Sequence, residues 1–257
     1  MFPIGDQNEP GKGPAFVTLA FIAINVAVFF LLQLDNDAFT YGYAAVPFEI
    51  TQGVDLTEPQ PVRVDGDTFA IPQEPGPDPI YLTLLTSMFM HGGFLHLGGN
   101  MLFLWIFGDN VEHRVGHVPY LLFYLGAGLV ASFAQITIDP ESVIPTLGAS
   151  GAISGVLGAY LIMFPTNRVT VIVLRFIPYQ VPAIVAIGMW AVFQFVAGLG
   201  AIAATETTVG GVAYMAHIGG FLAGLAFGVA GRAIWGSGAR GTPASRRQHG
   251  FSPRSRL

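Results

Sequence analysis

The sequence predicts an all-α, polytopic membrane protein: a bundle of six transmembrane helices with both termini in the cytoplasm. Three observations carry that expectation. The chain of 257 residues is 52% hydrophobic and only 11% charged, where a soluble domain carries about 25% charged residues. It holds six apolar stretches, each near the ~20 residues that cross a bilayer. Its basic residues fall almost wholly on one side of those stretches.

The first stretch runs from Ala15 to Leu34, and the second, short and glycine-rich, from Gly93 to Gly108. The third covers Val118 to Ile138, the fourth Thr146 to Phe164, the fifth Val181 to Leu199 and the sixth Gly210 to Trp235. Residues 1–14 are polar and read as a cytoplasmic segment. Asp6, Glu9 and Lys12 make a poor n-region, and the apolar run behind them is too long for the h-region of a cleavable signal peptide. Residues 15–235 then form one membrane domain. Its largest extramembrane piece, Asp35 to His91, contains an acidic, proline-rich insertion at about 55–79 that reads as flexible. The end of that piece, Ile80 to Met90, is apolar and reads as interfacial, as does Arg168 to Tyr179 with its two arginines and Pro178. Residues 236–257, rich in Gly, Ser and Arg, read as a disordered basic tail that sets topology and touches anionic lipid.

With six spans, Lys12, Arg114, Arg168, Arg175, Arg232, Arg240, Arg246, Arg247, Arg254 and Arg256 share one side, and only Arg63 falls on the other. That ten-to-one bias makes the shared side cytoplasmic, because loops rich in Lys and Arg stay inside. An odd number of spans would split the basic residues. The chain has no cysteine, which removes disulfides and thiolate metal sites. A net charge of −5 gives no footing for nucleic-acid binding.

Polar side chains inside spans are costly unless they face the protein interior or a wet cavity. Four stand out: His96 and Asn100 in the second span, Ser150 in the fourth and His217 in the sixth. His96 and Asn100 are four apart and share a helix face. Counted from the outer side, Ser150 lies about one turn into its span and His217 about two turns into its own. All four therefore fall in the outer half of the membrane. Gly151 and Gly155 repeat at four on the fourth span, and Gly220, Gly224 and Gly228 do so on the sixth. Such small-residue faces let helix backbones approach closely. Pressing the two stripes together would bring the His217 imidazole near the Ser150 hydroxyl. A serine becomes a nucleophile when a base about 3 Å away takes its proton, and a neutral imidazole is the natural base. Donors for a developing oxyanion are the third requirement. His96, Asn100 and the backbone N–H of Ser150 near a helix N-terminus are the candidates.

HGGFLHLGGNMLFLWIFGDNVE, GASGAISG and AHIGGFLAG, in this order on the second, fourth and sixth spans, closely resemble the rhomboid intramembrane proteases. The HxxxN motif of that family falls on His96 and Asn100, its GxSG motif on Gly148 to Gly151, and its AHxxGxxxG motif on Ala216, His217, Gly220 and Gly224. Glu112 matches an acidic residue that members hold at the inner end of the second helix. The resemblance covers about Ile80 to Gly228. It implies a six-helix bundle with a Ser–His dyad and no catalytic Asp. Ser150 would be the nucleophile and His217 the general base and acid, with His96 and Asn100 stabilising the oxyanion and Gly148, Gly151, Gly220 and Gly224 packing the site. It implies substrates that are transmembrane segments of other membrane proteins, cut near the outer face where their helices unwind easily. It implies no metal, nucleotide or other cofactor, and the lipid bilayer as the surroundings. The chain departs from some members in lacking a Trp-Arg pair in the first loop. It also has Ser154 four residues after the nucleophile, where some relatives place an aromatic that stacks on the histidine. The overall plan suggests a bacterial cytoplasmic membrane.

Blander readings compete. Ser150 could merely bond back to a helix carbonyl, His217 could be a packing or proton-relay residue, and Asn100 could be interhelical glue. Glu112, His113 and His117 have spacing compatible with metal ligation, but a third convincing ligand is missing, and they sit by Gly116 in an inner loop. His91, five residues before His96, reads as an outer-interface residue near the site with no catalytic role. At the level of function, the alternatives are a rhomboid-like non-catalytic binder of transmembrane helices and a small transporter. The transporter would need ionisable groups through both membrane halves.

Overall fold

The computed structural model of the protein describes residues 2–8, 13–64, 67–173, 177–203 and 213–236. It opens with strand β1 (Phe2–Asp6), followed by α1 (Phe16–Val28), which continues into a π-helical turn at Phe29–Gln33. Short helices α2 (Asp37–Tyr43) and α3 (Pro47–Gln52) precede a hairpin of β2 (Gln60–Val64) and β3 (Asp67–Ile71). A single turn, α4 (Thr83–Thr86), flanked by 3-10 turns, leads into α5 (Phe94–Val115) and then α6 (His117–Ile138). Helix α7 (Ser150–Met163) is followed by strands β4 (Arg168–Val173) and β5 (Ile177–Pro182), then α8 (Ala183–Ala203) and α9 (Tyr214–Trp235).

Four helices are long and apolar enough to cross a membrane among the described residues: α1 with its π turn, α6, α8 and α9. Helix α5 passes the same test together with the short helices before it, from which it is bent by 77°. Helix α7, with 14 residues, extends only about 21 Å at 1.5 Å per residue, short of the ~30 Å hydrocarbon core. Length and composition thus give four spans, or five with the bent pair. Helix α8 exposes Ile184, Val192, Phe193, Val196 and Leu199, an outward apolar face that suits lipid rather than water.

Helix α7 is the centre of the bundle, with Ala152, Ile153, Val156, Leu157, Ala159 and Tyr160 all buried. It meets α9 backbone to backbone. A Cβ at Gly220 would collide with the carbonyl oxygen of Gly151, and one at Gly224 with that of Gly155. Ala131 and Ala127 of α6 press on the other side of Gly151 and Gly155.

Several sequence expectations change in the structure. The second stretch does not stop at Gly108 but stays helical to Val115. Hydropathy falls at Asp109, yet the helix persists because its polar end is bound by protein. Glu112 is fully buried and accepts the backbone N–H groups of Val17 at 2.9 Å and Thr18 at 2.7 Å. These are unpaired donors of the first turn of α1, so the carboxylate caps that helix. His117 Nδ1 lies 2.5 Å from the same carboxylate, while His113 Nε2 lies 2.8 Å from the Gly13 carbonyl oxygen. The two imidazoles are thereby committed to different protein partners.

The stretch read as an interfacial loop holds two paired strands, 168–173 with 177–182, and β4 also pairs antiparallel with β1 in the order β1-β4-β5. Val169 and Val171 are buried and alternate with more exposed neighbours, the two-residue period of a strand. Within the expected flexible insertion, residues 60–64 and 67–71 pair as β2 and β3, with Val62 and Ile71 buried. Just after this hairpin, Gln73 ties the chain to the loop before α7 by donating to the Val143 carbonyl at 2.7 Å. Helix α7 starts at Ser150 rather than at Thr146, because Gly148 takes φ +135° and Thr146 bridges to Ala45 instead. The expected start of the sixth span at Gly210 and the basic tail from Ser237 lie outside the described residues.

The sheet seals the end of the bundle away from Ser150. Asp6 of β1 accepts from the Tyr160 hydroxyl of α7 and from Asn110 of α5. Burial pushes its carboxyl up to about 7 against those donated bonds.

The packing can be tested in two ways. Gly224→Leu should lower thermal stability in detergent by about 1–3 kcal/mol or more, while Gly126→Ala, whose Cβ meets nothing within 4 Å, should be neutral or mildly stabilising. Equal melting shifts for the two would contradict the glycine contact. The Asp6 carboxyl, raised from 3.8 to about 7, makes the folded chain bind the extra proton between those values. Its contribution to stability is therefore complete below about pH 4 and lost as pH rises through about 7. The protection factors of the Phe2–Asp6 amides, exchange rates corrected for the intrinsic rise with pH, should fall over that range in the wild type and stay flat in Asp6→Asn.

Candidate active site

The site forms where α5, α7 and α9 begin, at the end of the bundle opposite the sheet. Ser150 is the first residue of α7, and His217 lies in the first turn of α9, where its N–H bonds the Ala213 carbonyl at 3.2 Å. The Gly-on-Gly contact of α7 and α9 starts one residue after Ser150 and three after His217. It brings His217 Nε2 to 2.8 Å from Ser150 Oγ. The hydroxyl that bonds back to a helix carbonyl is a different one: Ser154 Oγ donates to the Ser150 carbonyl at 2.6 Å.

The backbone leading into Ser150 is fixed from several sides. Thr146 and Ala45 exchange N–H···O bonds of 2.8 and 3.0 Å, and Gly148 N–H donates to the Ser87 carbonyl at 2.9 Å. Gly148 at φ +135° occupies backbone space that L side chains rarely adopt. Its missing side chain also leaves room for chemistry. A Cβ there would sit 3.0 Å from His96 Nε2 and 3.4 Å from Ser150 Oγ, so the two side chains look into one small space.

The tautomer of His96 follows from its other nitrogen. Gly92 N–H donates to His96 Nδ1 at 3.2 Å, so Nδ1 is the acceptor and Nε2 carries the hydrogen, aimed toward Gly148. Asn100, one turn further along α5, is buried, and its amide nitrogen has no hydrogen-bond partner among the described residues. The first N–H groups of α7 lack a side-chain cap and point out of the helix start with its positive dipole end. A small, partly open pocket adjoins Ser150, with Ser87, Ser132, Gln135, Thr146 and Gly148 on its walls.

Two residues of this site, Gln194 and Trp190, were not singled out in the sequence, and a third, His91, was given no part in it. Gln194 of α8 places Oε1 2.8 Å from His217 Nδ1. Trp190, one turn earlier, lies with its ring centroid 6.3 Å from that of His217. His91, read as interfacial, is instead 2% exposed and packs its ring against His96 at 5.0 Å between centroids. Gln194 had a visible signal, a lone amide inside the fifth apolar stretch, whereas Trp190 looks like any other apolar residue there.

The Rhomboid domain family model matches residues 79–233, which is more than half of the chain and contains every residue of this site. The chain belongs to the rhomboid family. It is 34% identical over 160 residues to Rhomboid protease GluP of Bacillus subtilis, covering 62% of this chain and 26% of that protein. It is 31% identical over 151 residues to the mitochondrial Rhomboid protein 1 of Saccharomyces cerevisiae, covering 57% and 41%. The mitochondrial Presenilin-associated rhomboid-like protein of Mus musculus is 32% identical over 151 residues, covering 55% and 36%. The chain thus spans well under half the length of these curated relatives. As a rhomboid it is an integral, multi-pass helical membrane protein, and intramembrane proteolysis is the function at the level of the family.

Proposed function

We propose that this rhomboid is an intramembrane serine endopeptidase that cuts transmembrane segments of other membrane proteins near the outer membrane face. The observation that carries the reading is the 2.8 Å approach of His217 Nε2 to Ser150 Oγ, beside a space lined by unengaged donors. Six crossings with both termini in the cytoplasm are part of the proposal, on the strength of the ten-to-one basic bias. In this topology α7 is the fourth crossing. Its shortness is then no obstacle, because non-helical backbone is tolerated at membrane depth where it is enclosed by protein or lines a wet cavity. Residues 146–149 meet that condition. The membrane domain is proposed as 15–235, with the insertion at 55–79 on the outer side.

The steps use only the atoms present. Ser150 Oγ–H gives its proton to the lone pair of His217 Nε2 as Oγ bonds the scissile carbonyl carbon. The carbonyl π electrons move to oxygen. That oxyanion forms beside His96 Nε2–H and the N–H of Ser150, and the unpartnered Asn100 amide, one turn along α5 from His96, is proposed as a third donor; such groups gain most as charge develops. The imidazolium then protonates the leaving nitrogen while the C–N bond breaks, releasing the amine fragment and leaving an ester on Ser150. Water from the adjoining polar cavity attacks that ester with His217 taking its proton. Collapse returns a proton to Oγ and releases the carboxylate fragment. A substrate bond must first leave its helix, since helical carbonyls are already bonded and shielded.

The test is cleavage of a model transmembrane substrate in liposomes. Ser150→Ala and His217→Ala should each abolish cutting while the variants melt like the wild type, and a fluorophosphonate should label the wild type but not Ser150→Ala. A fully active Ser150→Ala would reject the mechanism, and a folded wild type that binds the substrate without cutting it would favour the non-catalytic binder. His96→Ala and Asn100→Ala should each lower kcat by about 10²- to 10³-fold, the cost typical of one lost oxyanion donor.

A further inference from the structure

The Nδ1 side of His217 is occupied by a residue from neither of the helices that carry Ser150 and His217. Gln194 on α8 is 8% exposed, and its Oε1 stands 2.8 Å from His217 Nδ1. An amide oxygen only accepts, so this bond exists only when Nδ1 carries a hydrogen. The neutral imidazole then has its lone pair on Nε2, the atom that faces Ser150 Oγ at 2.8 Å. The reverse arrangement, with the amide nitrogen donating to Nδ1, would place the hydrogen on Nε2 and leave the serine proton with nowhere to go. With Oε1 turned toward Nδ1, Gln194 holds His217 in the one neutral tautomer that can act as base.

We infer that Gln194 is a positioning residue for the reaction, the third member of a Ser150–His217–Gln194 chain. The inference rests on the reading of Ser150 and His217 as the catalytic dyad. Gln194 touches no substrate atom and acts through the histidine, fixing its tautomer and ring direction. The rest of the ring's surroundings are consistent with that role. Helix α7 offers Ser154 at the position from which an aromatic would hold the imidazole, and the Ser154 hydroxyl is spent on the Ser150 carbonyl. Helix α8 instead supplies Trp190, tilted 39° to the imidazole, together with the amide. Among the described residues, the groups facing His217 from α7 and α8 are uncharged. The other titratable side chain bordering the Ser150 hydroxyl is His96 of α5, neutral in the tautomer described above. The imidazolium formed during the reaction thus gains a hydrogen-bond acceptor from Gln194 but no compensating negative charge.

Supplying that charge gives a readout that packing alone would not move. Cleavage by the full chain in liposomes is measured as kcat and KM across about pH 5 to 9, the window in which histidine bases titrate. Gln194→Leu should lower kcat by about 10- to 100-fold with KM nearly unchanged, a milder form of the loss seen when a catalytic histidine is held in the wrong tautomer. Gln194→Glu should retain most of kcat at high pH and shift the acid limb of kcat/KM upward by about one pH unit or more, because a carboxylate on Nδ1 favours the protonated ring. Should Gln194→Leu fail to fold, the acid limb of Gln194→Glu decides alone. Wild-type kcat in a folded Gln194→Leu, or an unmoved acid limb in Gln194→Glu, overturns the inference if Ser150→Ala is dead. Activity in Ser150→Ala instead overturns the dyad itself, so the two failures are distinguishable.

Discussion

The structure turns on the place where two helices touch through their backbones. In lipid there is no water to drive apolar faces together, so helices associate through close packing and hydrogen bonds. Gly151 and Gly155 on α7 meet Gly220 and Gly224 on α9 with no room for a Cβ at either contact. Ser150 adjoins the first of these pairs and His217 lies three residues before it. The distance between their polar atoms is therefore set by the same glycines that hold the bundle. A side chain at Gly220 would separate the axes by an amount comparable to the margin within which a proton passes from oxygen to nitrogen. Fold and chemistry share one constraint, which is why the small residues belong to the site as much as the polar ones do.

Around that contact the two ends of the bundle are built differently. At the sheet end, the buried Glu112 carboxylate closes the first turn of α1, and Asp6 ties β1 to α5 and α7. At the other end, α7 starts late, the residues before it are strung between Ala45 and Ser87, and donors remain unengaged, above all the Asn100 amide. Buried donors without partners cost free energy. Unpartnered polar atoms occur at both ends, with Thr18 and Tyr120 near Glu112 and Asn100 and His91 on the side of His96, so what distinguishes the Ser150 end is the open space beside it rather than a surplus of unmatched groups.

The apolar stretches, the glycine stripes and four of the polar residues could be read from the sequence because each rests on a local pattern. Period four in Gly220, Gly224 and Gly228 needs no coordinates, and a histidine amid apolar residues is conspicuous. What stayed hidden depends on partners distant in sequence. Helix α5 reaches Val115 because Glu112 finds the N–H groups of residues 17 and 18. The stretch from Arg168 is a hairpin because β1, more than a hundred and sixty residues earlier, offers it an edge. The alternation of Val169 and Val171 was present but brief and flanked by arginine and proline. His91 reads as interfacial in the sequence because its burial depends on Gln33, which bonds its backbone on both sides. Ser154 was legible as a departure, yet nothing local indicated that a different helix replaces what it lacks.

That replacement bears on how the site is assembled. Where an aromatic one turn beyond the nucleophile holds the histidine, the support travels with α7, and two helices suffice to build the base. Here the ring is flanked by Trp190 and Gln194, both on α8, while α7 contributes the Ser150 hydroxyl. In the proposed mechanism the orientation of His217 then requires three helices in register, and α8 is joined to the bundle less intimately than α9, with much of its surface facing outward. The tautomer of His217 is accordingly tied to the seating of α8. Any displacement that lengthened the 2.8 Å bond to Gln194 would loosen the imidazole even if the glycine contact between α7 and α9 stayed intact.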